Sequence, residues 1–97
     1  MKHEITKKLY NALFNLFYSD NKEDEKIMNK YRSEGKYYEM DNIMKKYITL
    51  KYIEKNRHRI YGARGIGDKG IKELNKLLEN NGYKKIEKPS KERYFIY

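Results

Sequence analysis

The chain has 97 residues, which suits one domain but not two independent cores. It has no cysteine and only two histidines, which excludes disulfides and leaves too few ligands for a typical zinc site, so we expect neither a metal nor another cofactor. The formal net charge is +9, and residues 48–97 hold 13 Lys and Arg against 6 Asp and Glu, an excess of 7. Such asymmetry is typical of a surface that meets phosphates; a lysine-rich composition that only favours solubility is the alternative.

The amino terminus is polar from Lys2 to Glu4, and no long apolar run follows it. We therefore expect neither a signal peptide nor a membrane span, and a cytoplasmic protein.

The first half of the chain predicts three helices. Thr6 is placed to cap a first helix that ends near Tyr18, because apolar residues recur behind it at spacings of three and four. A second, less buried helix is predicted over residues 22–34 and ends at Gly35. The apolar pattern then predicts a third helix over residues 37–47.

The second half predicts a helical hairpin. Thr49 can cap a short helix, and residues 56–82 then contain two short helices around a glycine turn. The first of these ends at Gly62, and the second ends at Asn81–Gly82. The predicted fold is therefore all-α, a compact bundle of short helices that contains a helix-hairpin-helix.

The hairpin turn has the features of a phosphate clamp. Gly65 and Gly67 allow unusual backbone conformations and close approach, and the following helix presents unpaired N–H groups to an anion. Arg64 and Lys69 flank the turn with positive charge. Asp68 opposes phosphate binding, although we expect it to cap the helix. The alternative is a purely structural turn whose basic neighbours are solvated.

Two other interpretations are weaker. Gly65, Gly67 and Gly70 match the dinucleotide-binding pattern G-x-G-x-x-G, but no buried strand precedes them. An enzyme is not expected, because no serine has a plausible histidine and carboxylate context and the acids of residues 23–25 point in different directions around a helix.

Residues 5–13 read ITKKLYNAL, and the capped segment and the glycine hairpin follow them later in the chain. In this order they resemble the C-terminal domain of the bacterial RNA polymerase alpha subunit, whose first helix follows the pattern L-[ST]-x-R-A-x-N-x-L. Its later T-[VI]-x-x-L segment and glycine hairpin are similar to Thr49–Ile53 and to residues 60–71. The likeness covers residues 5–18 and 48–83.

The resemblance implies contact with the minor groove and phosphates of duplex DNA, through the first helix and the hairpin. Lys8 stands where the family has an arginine, and Gly70 where it has a serine, whereas Asn11 matches. Lys8 keeps the charge but lacks the planar fork of arginine. The hairpin turn and the resemblance together give these nucleic-acid-binding candidates: Lys8, Asn11, Arg64, Gly65, Gly67, Lys69 and Gly70.

The resemblance also divides the chain. Residues 1–83 form the predicted domain, with residues 19–47 as a helical insertion and residues 84–97 as a basic, aromatic tail. The insertion is nearly neutral, and its side chains could form a protein interface. The candidates for that interface are Tyr31, Tyr37, Tyr38, Met40 and Met44. The alternative is that they enlarge a small core.

Two functions therefore stand side by side. The first is a DNA-binding module related to transcription, whose partner is double-stranded DNA. The second is a protein-interaction module of the same fold that binds RNA polymerase or another transcription protein through the insertion. RNA binding ranks lower, because no groove with interleaved aromatic residues is evident in the sequence.

Overall fold

The computed structural model describes residues 4–88, and all regular structure in that range is helical, which confirms the predicted all-α class. The six helices are α1 (Lys7–Phe17), α2 (Lys22–Ser33), α3 (Tyr37–Met44), α4 (Leu50–Lys55), α5 (Arg57–Ile60) and α6 (Asp68–Asn80). Of the helices in this range, none combines the length and the apolarity needed to cross a membrane.

Three helices begin at a side chain that caps them. The hydroxyl of Thr6 accepts a hydrogen bond of 3.3 Å from the N–H of Leu9, and Thr49 accepts one of 3.1 Å from Tyr52. Asn21 does the same at the start of α2. Each cap satisfies one N–H that the first helical turn leaves without a partner. The predicted caps Thr6 and Thr49 are confirmed.

Helix α3 is shorter than predicted. It ends at Met44 rather than near residue 47, and the chain then tightens into a turn in which the N–H of Tyr47 donates to the carbonyl of Met44 at 2.9 Å. The hydroxyl of Tyr47 binds the carboxylate of Asp24 in α2. The apolar spacing continued through this turn, so periodicity alone could not locate the helix end.

The insertion is built into the core. Met28, Met40 and Met44 are buried, and α2 packs closely against α3. They join one cluster with side chains from α1 and α6 that include Leu13, Phe17, Leu74 and Leu78. Residues 19–47 therefore supply core that the short remaining helices would lack.

The segment after α6 also packs on the bundle. Ile86 is buried. The side-chain amide of Asn75 donates a hydrogen bond of 3.0 Å to the Ile86 carbonyl and accepts one of 2.6 Å from the Ile86 N–H. The N–H of Lys84 donates to Glu54 of α4 at 2.6 Å. The packed structure thus extends past the boundary predicted at residue 83. The rest of the predicted tail, residues 89–97, lies outside the described residues.

Candidate nucleic-acid interface

The hairpin turn and helix α1 touch each other. A Cβ added to Gly65 would lie 3.3 Å from the Cβ of Ala12, and one added to Gly70 would lie 3.3 Å from Leu9. The start of α1 is tied to α6 as well, since the N–H of Thr6 donates to Glu73 at 2.9 Å. The two segments singled out in the sequence therefore form one continuous surface.

The candidate nucleic-acid-binding residues belong to α1, to the turn or to the first residues of α6. Lys8 and Asn11 are exposed on α1, next in sequence to the contact residues Leu9 and Ala12. Arg64 is exposed in the turn. The remaining candidates are exposed Gly65, Gly67 and Lys69 and half-buried Gly70.

The two turn glycines differ in conformation. Gly65 has a φ of +84°, a region that other residues rarely adopt, and it also lies against Ala12. Gly67 has a φ of −96°, which any residue can adopt, and nothing lies within 4 Å of the position a Cβ would take. Gly65 is therefore required by the turn itself. The fold does not require a glycine at position 67, where the backbone is open to an approaching ligand.

The start of α6 lacks a side-chain cap. Gly67 is the capping residue and Asp68 is the first helical residue, so the prediction that Asp68 caps the helix is wrong. The first backbone bond of the helix runs from Ile71 N–H to the Gly67 carbonyl at 3.0 Å. Among residues 4–88, the N–H groups of Asp68, Lys69 and Gly70 have no hydrogen-bond acceptor. Three such donors at the positive end of a helix dipole can hold an anionic oxygen.

The positive charge of the candidate nucleic-acid interface comes from three individual side chains. Lys8, Arg64 and Lys69 are exposed, and none forms an ion pair with another described residue. Helix α6 as a whole is balanced, with three lysines against three acids. The basic excess of the second half therefore lies mainly in the segments around α6.

Arg59, in the first hairpin helix, is not available for phosphate. Its guanidinium holds Asp20 through hydrogen bonds of 2.8 and 2.9 Å, and Tyr52 donates to the same carboxylate. Burial raises the pKa of Asp20, but the bonds from Arg59 and Tyr52 outweigh it and leave that pKa below its usual range. This pair fixes the hairpin to the end of α1.

The candidate protein interface is divided by the fold. Met40 and Met44 are buried in the core and Tyr31 is half-buried, so these three do not form an open face. Tyr37 and Tyr38 are 63% and 71% exposed. A protein-binding face on the insertion is thus reduced to a pair of adjacent tyrosines, because the methionines complete the core.

A groove that sequence reasoning missed lies between α3 and the start of α4. It encloses about 710 Å³ and is lined by aromatic and basic side chains that include Tyr38, Tyr83, Lys45 and Lys51. It shares no residue with the hairpin candidates. The spacing of residues 38, 41, 42 and 45 places them on one face of α3 and its following turn, which the sequence could have shown. The approach of Tyr83 depends on tertiary packing.

Within residues 4–88 there is no cluster of three or more histidine or acidic side chains able to hold a metal ion. Comparison of the chain with protein-family models, with curated proteins and with solved structures gave no match. The resemblance to the polymerase alpha C-terminal domain therefore remains a hypothesis based on the residues quoted above.

Proposed function

We propose that the chain is a duplex-DNA-binding module related to transcription, which contacts phosphates and the minor groove through α1 and the glycine hairpin. The observation that supports this most directly is the uncapped start of α6, with open backbone at Gly67 and three N–H donors. Ala12 lies against Gly65, and Lys8 and Asn11 are exposed side chains of the same helix.

The chemistry of this surface favours the DNA backbone over particular bases. Backbone N–H groups and lysine ammonium groups bind phosphate oxygens, which position a protein on the duplex and carry little sequence information. Asn11 is the one candidate side chain on α1 with both a donor and an acceptor for base edges. We therefore expect weak sequence preference, governed by groove width more than by base contacts.

Fluorescence anisotropy with an A-tract duplex and a mixed-sequence duplex, each at two salt concentrations, tests this function. The double variant Lys8→Ala/Lys69→Ala should bind more weakly, and its log affinity should fall less steeply with log salt, by about 0.9 for each phosphate that the variant no longer binds. The matched control is Lys26→Ala/Lys30→Ala, which removes the same charge from exposed positions of α2. Equal losses in the two double variants would show that only net charge matters. No duplex binding by the wild type at low salt would rule the function out.

The second candidate is a protein-interaction module that binds RNA polymerase or another transcription protein. Its support is the exposed pair Tyr37 and Tyr38, since aromatic residues are enriched at interfaces. Binding of this kind should respond weakly to salt. In a pull-down assay, the wild type should capture purified RNA polymerase. If the variant Tyr37→Ala/Tyr38→Ala fails to capture it but still binds duplex DNA, this second function is favoured.

A further inference from the structure

The groove beside α3 is lined by two buried side chains and by two more accessible tyrosines. Tyr10 and Ile48 are buried at its base, at 8% and 5% exposure. Tyr38 and Tyr83 also line it, and Tyr38 remains 71% exposed to water. Its volume of about 710 Å³ lies within the range of about 300–1,000 Å³ typical of pockets for compact organic ligands. A planar ring with its attached sugar fits such a space.

The charge of the groove is positive. Lys45 and Lys51 line it, are exposed, and form no ion pair with any residue in the range 4–88. The hydrogen bond from the Lys84 N–H to Glu54 brings a further basic segment against α4.

One acid lines the groove. Asp41 accepts a hydrogen bond of 2.9 Å from the hydroxyl of Tyr10, which orients the carboxylate without cancelling its charge. Two lysines against one carboxylate give the lining a formal net charge of +1. The complementary ligand is an anion that also carries flat, apolar faces.

We propose that this groove binds single-stranded nucleic acid, with an unpaired base stacked on Tyr38 and the adjoining phosphates held by Lys45 and Lys51. Aromatic platforms in a positive groove are the usual arrangement for single strands, because every base has a face that can stack. In a duplex those faces are covered by neighbouring bases. The amide of Asn42, which also lines the groove, offers a donor and an acceptor to a base edge. This activity goes beyond the proposed duplex binding and uses none of its residues.

Anisotropy with labelled oligo-dT and oligo-U of equal length tests the site. Tyr38→Ala should weaken binding by about tenfold, within the range of about 5- to 150-fold that loss of one stacked base produces. Tyr37→Ala is the matched control, because Tyr37 is the adjacent exposed tyrosine and does not line the groove. It should bind as the wild type does. Binding of either oligonucleotide supports the site. The oligonucleotide that binds more tightly identifies the ligand of the groove as DNA or RNA.

Lys45→Gln/Lys51→Gln should flatten the salt dependence by about 0.7 log units per log unit of salt for each phosphate that the variant no longer binds. Lys26→Gln/Lys30→Gln controls for net charge. The affinity for duplex DNA should be unchanged in Tyr38→Ala. Failure of the single-strand proposal can therefore be distinguished from failure of the proposed duplex binding.

Equal effects of Tyr38→Ala and Tyr37→Ala, or no binding of either strand by the wild type, would overturn the site. If a labelled peptide of alternating Glu and Leu binds with dependence on Tyr38 while neither oligonucleotide does, the groove serves a protein partner instead. Thermal melts followed by circular dichroism establish that each variant is folded.

Discussion

Arg59 holds Asp20 with two parallel hydrogen bonds, of 2.8 Å from one guanidinium nitrogen and 2.9 Å from the other. The bond joins the hairpin's first helix to the residues that follow α1. The side chain of Asp20 is only 14% exposed, which shields the pair from solvent more than an ordinary surface ion pair. A paired arrangement of this kind depends on the planar fork of arginine, which lysine lacks.

We expect Asp20→Asn to lower the free energy of unfolding at neutral pH by about 1–2 kcal/mol, because it leaves Arg59 without its anionic partner. The pKa of Asp20 is lowered in the folded state, so its stabilising contribution is present above the unfolded value of about 4 and is lost as pH falls through the folded value. The difference between wild type and variant should therefore shrink below about pH 4. Urea unfolding across that pH range measures it. A difference that stays constant down to about pH 2 would contradict the assignment to Asp20.

The free Gly67 backbone gives a second prediction. Gly67→Ala should fold normally, since its φ of −96° suits alanine and no atom lies within 4 Å of the new Cβ. It should nevertheless weaken duplex binding, because the methyl group stands where a phosphate oxygen would approach the N–H groups of α6. Anisotropy and a thermal melt on the same sample separate the two effects.

Gly65→Ala is the informative contrast. Its φ of +84° and the 3.3 Å approach to Ala12 make the substitution strained, so it should destabilise the fold by about 1–3 kcal/mol. If Gly67→Ala leaves duplex affinity unchanged, the phosphate does not approach the backbone at position 67.

Local signals predicted the helices that depend on local chemistry. Thr6 and Thr49 cap as expected because the hydrogen bond joins residues three apart in sequence. The end of α3 was not predictable, since it coincides with a bond between Tyr47 and Asp24, 23 residues apart. The same limit applies to buried Ile86, whose backbone is bonded to Asn75, 11 residues away in α6.

The candidate site also has a part that the sequence predicted and a part that it did not. The glycine turn and its basic neighbours were predicted from their spacing, whereas the contact of Ala12 with Gly65 required the packed structure. The groove was missed because its walls come from α3, α4 and Tyr83, which only tertiary packing brings together. Sequence spacing also could not tell that Met40 and Met44 face the core and not a partner, because both uses favour apolar side chains.

Asn75 should be essential to the packing of the segment after α6. Asn75→Ala removes both hydrogen bonds to Ile86 and should lower the free energy of unfolding by about 2 kcal/mol. Asn75→Asp keeps an acceptor for the Ile86 N–H but sets a carboxylate oxygen against the Ile86 carbonyl, so it should also destabilise the fold. Asn80→Ala, at an exposed position of the same helix, is the control. Hydrogen exchange at the Ile86 amide should accelerate in Asn75→Ala but not in Asn80→Ala.

The insertion should behave as core under mutation. Met44 is fully buried, so Met44→Ala removes packed atoms and leaves a cavity, which typically costs about 2–5 kcal/mol. Tyr37→Ala, in the same helix but 63% exposed, should change the free energy of unfolding by no more than about 0.5 kcal/mol. Urea unfolding of the two variants measures both values. A decrease below about 1 kcal/mol for Met44→Ala would mean that residues 19–47 are an appended module, because only side chains that the whole bundle packs against carry the larger cost.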